Sequence, residues 1–161
     1  RVKENSQPPK TPPKSIRPSK ITLDLFGGEK SQIPGAINVD LNAKAQPGVA
    51  ADVTRLPFAN NSVDEIVASG PRAPFIEEAA RVLKPGGRIY MNGTHSNRFF
   101  RLFVTASNQP MSDQELANLG LRIIQKEGPL DPKFKDLTFY REDYTSQIDK
   151  TFMRTTILEK Y

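Results

Sequence analysis

The sequence predicts an α/β domain, an open and mostly parallel β-sheet that finishes in antiparallel C-terminal strands. Three observations carry that expectation. Short apolar runs separated by turn residues recur from Ile21 onward; a helical apolar face appears only after the fourth run; and the last third places two strand-like runs behind a short, well-capped helix.

Taken in order, "ITLDL" (21–25) and "AINVDL" (36–41) read as strands that bring Asp24 and Asp40 up to a loop, and "GVAAD" (48–52) and "VDEIVAS" (63–69) read as the third and fourth strands. Only about ten residues separate the first two, near the minimum for a parallel crossover and short of a full helix. "EKSQIPG" (29–35) must therefore cross as a turn or a single helical turn, which weakens any helix dipole at that point. One face of the sheet is then left less covered, with the aromatic stretch at 99–103 or a partner protein as candidate covers.

"APFIEEAARVLKPGG" (73–87) aligns Phe75, Ile76, Ala79, Ala80, Val82 and Leu83 on a helical face, and Lys84 to Gly87 stop it. "RIYMNG" (88–93) follows as a strand, so a parallel sheet with ligand chemistry at its carboxyl ends is implied. "MSDQELANLG" (111–120) has Ser112 and Glu115 at capping-box spacing and Gly120 as its stop. "LRIIQKEG" (121–128) and "FMRTTILEK" (152–160), either side of a polar loop with Gly128, Pro129 and Pro132, should pair antiparallel and close one edge. "NRFFRLFVT" (97–105) fits either a helix under the sheet or an aromatic flap over a site.

A length of 161 residues suits one domain with a real core. The absence of cysteine excludes disulfides and thiolate zinc sites, and one histidine without clustered carboxylates makes no metal ligand set. No apolar run reaches the roughly 18 residues of a membrane span, and no signal peptide is visible, so a soluble protein with no membrane partner is expected. The net charge of +5 is concentrated in residues 1–20, which hold six of the 23 basic residues, one of the 18 acidic ones and five of the 14 prolines. That stretch is expected to be a disordered basic linker ahead of a domain at 21–161 whose charges balance. A neutral body does not favour nucleic acid as a partner. The start without Met suggests a fragment of a longer protein.

"AINVDL", "ADVTRLPFANNSVDEIVAS" and "EEAARVLKPGGRIYM", in this order and spacing, resemble the class I S-adenosylmethionine-dependent methyltransferases, and the short first crossover resembles one subgroup of them. The resemblance covers most of 21–160. It implies a Rossmann-like sheet with the first crossover helix shortened or missing, S-adenosyl-L-methionine as cofactor, and methyl transfer to an unidentified acceptor. It also implies roles. Asp24 takes the acidic position of the first turn; Phe26 stands for the first glycine, Gly28 keeps the second with Gly27 before it, and Lys30 occupies the place of the third. Asp40 matches the carboxylate that grips the ribose hydroxyls, against the plainer reading of a strand-end carboxylate. Asp52 matches the acceptor for the adenine amino group, with Val53 and Leu56 able to wall the ring, or else caps the next turn. Ser69, Gly70 and Pro71 sit where substrate-side residues lie, or form a turn. Ser69 and His95 are the candidate catalytic residues; His95 on the carboxyl side of strand five is placed to deprotonate an acceptor, or is a lone surface histidine.

Two other readings stand beside the enzyme. One is a methyltransferase-like fold kept as a binding module. The other is a C-terminal toxin or effector domain, since Pro/Lys-rich junctions resemble those ahead of polymorphic-toxin modules; it would act in the cytoplasm, be cut from a larger secreted parent chain, and have an immunity protein as partner.

Overall fold

The computed structural model describes residues 20–140 and 146–161. The basic stretch read as a linker therefore lies outside the described residues, Lys20 excepted.

Seven strands form one sheet: β1 (Thr22–Leu25), β2 (Ile37–Asp40), β3 (Gly48–Ala50), β4 (Val63–Ser69), β5 (Leu83–Gly93), β6 (Leu121–Pro129) and β7 (Arg154–Lys160). Their order is β3-β2-β1-β4-β5-β7-β6. The first five are parallel, and β7 runs antiparallel to both β5 and β6. β1 is buried along its whole length because β2 and β4 flank it. Helices are few. α1 (Ile76–Val82) joins β4 to β5, while α2 (Arg98–Arg101) and α3 (Asp113–Asn118) fall between β5 and β6. The connections 26–36, 41–47 and 51–62 contain no helix, so the short first crossover is a turn-built loop.

Strand alternation gives the sheet two different faces. Leu23, Leu25, Ile66, Ala68, Ile89 and Met91 point to one side and pack on Ile76, Ala79 and Val82 of α1. Phe100 and Phe103 join this same cluster. The ambiguous aromatic stretch is thus a helical turn under the sheet, pressed so close that a Cβ on Gly93 would lie 2.7 Å from the Phe100 ring. It does not cover the face left open by the missing crossover helix. That face carries Val67, Tyr90 and Ile157, and Phe134, Phe139 and Met153 from the β6–β7 connection cover them. The Gln32 side chain helps to fasten the connection across the sheet: its amide donates to the Thr138 carbonyl at 2.7 Å and accepts from the Thr138 N–H at 3.0 Å.

Toward the amino ends of the parallel strands the same face is charged and solvated. Glu65 on β4 pairs with Lys20 at 3.2 Å and Lys133 at 3.3 Å, and Glu159 on β7 pairs with Arg88 and Arg122. Such partly exposed pairs contribute little stability, but they make a helix unnecessary there.

Local signals hold up in detail. The α3 capping box forms, with the Glu115 N–H on the Ser112 hydroxyl and the Ser112 N–H on the Glu115 carboxylate, each at 3.1 Å. α1 ends one residue earlier than its apolar pattern suggests: Leu83 is extended and pairs with Val63, and Lys84 to Gly87 bulge before Arg88 re-enters the ladder opposite Glu65. Among the described residues no helix is long and apolar enough to cross a membrane.

Candidate functional site

Parallel strands present their carboxyl ends along one rim, and the short β1–β2 loop leaves that rim open. Phe26, just beyond β1, takes the left-handed backbone (φ 66°) that a glycine would adopt more easily. Its ring is buried edge-on against Phe75, with centroids 5.6 Å apart, and this packing offsets the strain. Gly27 follows and rests on two polar side chains. A Cβ there would fall 2.2 Å from Asn38 Oδ1 and 2.8 Å from Asp24 Oδ2, so no larger residue fits. Gly28, at φ 76°, turns its N–H onto Asp40 Oδ2 at 2.9 Å and its carbonyl onto Asn38 Nδ2 at 2.7 Å.

Asp24 and Asn38 are register partners on β1 and β2 and are nearly inaccessible. Burial raises the Asp24 carboxyl from 3.8 to about 6; the Ser31 hydroxyl donating at 2.6 Å pulls it down, and the charge of Asp40 pushes it up. Asn38 Oδ1 is a buried acceptor with no partner, facing the same loop. Asp40 is 4 % exposed. Its Oδ1 accepts from Asn42 N–H at 2.8 Å, and its Oδ2 accepts from Gly28 N–H and from Arg72 Nη2 at 3.2 Å.

Two cavities meet at this rim. One of about 240 Å³ is bounded by Asp40, Leu41, Asp52, Val53 and Ala73 at the ends of β2 and β3. Its neighbour is bounded by Asp24, Gly27, Ser69 and Gly70 at the ends of β1 and β4, with Phe139 and Met153 of the covering segment opposite. Phe26 and Arg72 line both and stand at their junction. The arrangement suits a nucleoside carrying a polar chain: a two-oxygen acceptor at a diol, an exposed carboxylate and apolar walls at a base, and buried acceptors at a cationic tail.

Asp24, Phe26, Gly27, Asp40, Asp52, Val53 and Ser69 thus gather around the paired cavities. Gly28 acts on them through Asp40. Asp52 lies two residues past the end of β3, and its Oδ1 takes both the N–H and hydroxyl of Thr54, which hold its carboxyl below the usual range. Leu56 does not wall this space. The turn that Asp52 closes swings it into the core, where it is 5 % exposed and its N–H donates to Glu78. Leu41, Ala51 and Ala73 line the cavity with Val53 instead.

Ser69 is set by a relay invisible in the sequence. Thr155 on β7 donates to Asn92 on β5 at 2.8 Å, and Asn92 donates to the Ser69 hydroxyl at 3.1 Å. Ser69 lines the cleft, and accepting from Asn92 leaves its hydroxyl free to donate. His95 stands apart, on a cavity of about 750 Å³ with Thr94, Glu127, Phe152 and Arg154 that shares Ile148 with the cleft. Its Nδ1 meets Glu127 Oε1 at 2.7 Å. Glu127 reaches it from an irregularity in β6 where the backbone is left-handed (φ 45°) and the N–H is held by the Thr156 hydroxyl.

The strand order, the single antiparallel insertion and this rim define the class: the chain has the fold of the class I S-adenosylmethionine-dependent methyltransferases. Residues 32–91 match the methyltransferase domain family. Demethylmenaquinone methyltransferase from Mycobacterium sp. (strain KMS) is 45% identical over 62 residues, which is 34% of this chain. The match spans only 27% of that relative's length, about a quarter. A methyltransferase solved with the Haloferax volcanii Trm112 methyltransferase activator superposes with a TM-score of 0.53 at 19% identity, over 88% of this chain and 82% of its own. The 16S rRNA methyltransferase KamB does so with 0.54 at 16% identity, over 89% of each chain. At these identities the structural likeness concerns the fold.

Proposed function

We propose that the domain binds S-adenosylmethionine across the paired cavities and transfers its methyl group to an acceptor. The observation that carries the reading is the convergence of Asp24, Gly27 and Asp40, from the ends of adjacent strands, on a single two-chambered cleft. The Gly27 cradle and the unpaired Asn38 acceptor fit such a ligand.

In this reading Asp40 accepts the ribose hydroxyls, the outer oxygen of Asp52 accepts the adenine amino group, and Leu41 and Val53 hold the ring. Asp24, kept in place by Ser31, faces the amino-acid end. The cofactor supplies an electrophilic methyl group, so the chain's task is alignment rather than activation. Ser69 orients the acceptor with the proton left free by the Asn92 relay. His95, with Nδ1 held by Glu127, takes the proton that the acceptor sheds, entering from the neighbouring cavity.

A second reading, a binding module without catalysis, is favoured by one observation: the candidate base His95 stands on a separate cavity rather than in the cleft. Titration calorimetry with S-adenosylhomocysteine separates the two from a non-binding fold. Heat and a thermal shift are expected; neither at millimolar ligand would end the cofactor reading. Methyl transfer from labelled cofactor to a cell extract then distinguishes enzyme from binder.

A further inference from the structure

We infer that Arg72 decides which adenosyl compounds the cleft accepts: it holds the Asp40 carboxylate until a nucleoside diol displaces it, and the displaced guanidinium then pairs with a carboxylate on the same ligand. The inference rests on the cofactor reading above and assigns it a specificity determinant.

Asp40 has three donors and almost no contact with solvent. Two of them, the N–H groups of Gly28 and Asn42, belong to the backbone and cannot leave. The third can. Arg72 is a side chain that keeps 30% of its surface exposed and reaches Asp40 through one Nη2 contact at 3.2 Å. A vicinal diol must donate two hydrogen bonds to this carboxylate, so the arginine is the group it has to replace.

The position of Arg72 makes the exchange directional. Its backbone is fixed just upstream, where the Pro71 carbonyl accepts from Asn97 Nδ2 at 3.0 Å, so the side chain moves while its root stays. The guanidinium lies 5.4 Å from the Phe26 ring centroid, on the wall between the two chambers, and lines both. Turning away from Asp40 carries it over the same ring toward Ser69 and Gly70, the chamber assigned to the amino-acid end. A planar fork released there needs an anion of matching geometry, and a carboxylate supplies one. An adenosyl ligand without a carboxylate breaks the Arg72–Asp40 pair and returns nothing.

The test compares S-adenosylhomocysteine with 5′-deoxy-5′-methylthioadenosine, which lacks the amino-acid end, by calorimetry on the wild type, Arg72→Met and Arg72→Lys. The wild type should prefer the first ligand. In Arg72→Met, methylthioadenosine should bind more tightly than to the wild type, because Asp40 is free, and the preference should shrink by roughly tenfold or more. Arg72→Lys, which keeps a cation on Asp40 and hence the fold, should fall between. An unchanged preference in both variants, or weaker methylthioadenosine binding by Arg72→Met, overturns the inference while leaving the cofactor reading intact. Equal losses for both ligands would mean that the guanidinium turns to a protein group such as Asp24, and also overturn it. No binding of either ligand to the wild type removes both.

Discussion

Replacing Asp24 by Asn should make the protein more stable and a poorer ligand binder. Burial lifts the carboxyl from 3.8 to about 6, so the folded chain holds this proton more tightly than the unfolded one. Between those two values the native state carries the extra proton. Stability therefore falls as pH rises through the window, and above about pH 6 the whole penalty is in place. At 1.36 kcal/mol for each pH unit, the shift amounts to about 3 kcal/mol, or roughly 6–12 °C in Tm for a chain of this size. The amide is neutral at every pH, keeps an acceptor for the Ser31 hydroxyl, and brings an N–H donor beside the unpaired Asn38 oxygen. Urea melts of both proteins between pH 4 and 8 measure the difference, in which all other titrating groups cancel. It should grow from near zero at pH 4 to about 3 kcal/mol at pH 8. A difference independent of pH, or a less stable variant at pH 8, would refute the argument that this carboxylate is held ionised at a cost. The same variant should bind S-adenosylhomocysteine roughly tenfold more weakly, because a charge facing a cationic tail is gone.

Four further outcomes are expected. Asp40→Ala should weaken S-adenosylhomocysteine by roughly a hundredfold in calorimetry while circular dichroism stays unchanged, since two hydroxyl bonds to a charged acceptor are lost. Gly27→Ala should destabilise by about 1–3 kcal/mol in chemical denaturation, as its methyl meets Asn38 and Asp24 at the distances of a clash. Gln32→Ala breaks both bonds to Thr138 and should cost about 1–3 kcal/mol, with faster hydrogen exchange confined to residues 137–140. His95→Gln should lower the rate of methyl transfer to an acceptor found in extract by roughly a hundredfold or more while leaving S-adenosylhomocysteine affinity unchanged.

Much of the fold was legible because the apolar runs are short, are set apart by turn residues, and several end beside an acidic residue or a glycine. Asp24, Asp40 and Asp52 announce themselves as carboxylates that break apolar runs at the point where a parallel sheet binds ligands. The insertion of β7 between β5 and β6 was not legible, since register over such separations leaves no local trace. Nor was the cover over the second face: Phe134, Phe139 and Met153 are scattered without period through a polar segment, and only the folded chain brings them together. Leu56 misled for a local reason, because the Asp52–Arg55 turn reverses its direction within a few residues. Arg72 and Asn92 were missed because their meaning depends on partners far along the chain, Asp40 for one, Ser69 and Thr155 for the other. Glu127 was hidden by its strand, whose alternation gives no hint of an irregularity that re-aims one side chain.

The strand that fills the gap between β5 and β6 leaves the ribosome after the other six strands of the sheet. Until it arrives, the nascent chain exposes β5 as a bare edge and β6 as an orphan hairpin arm, each able to recruit backbone from a neighbour. A stop codon shortly before residue 154 would therefore yield an adhesive intermediate rather than a trimmed domain, and the Ser69 hydroxyl would lose the Thr155 anchor behind it.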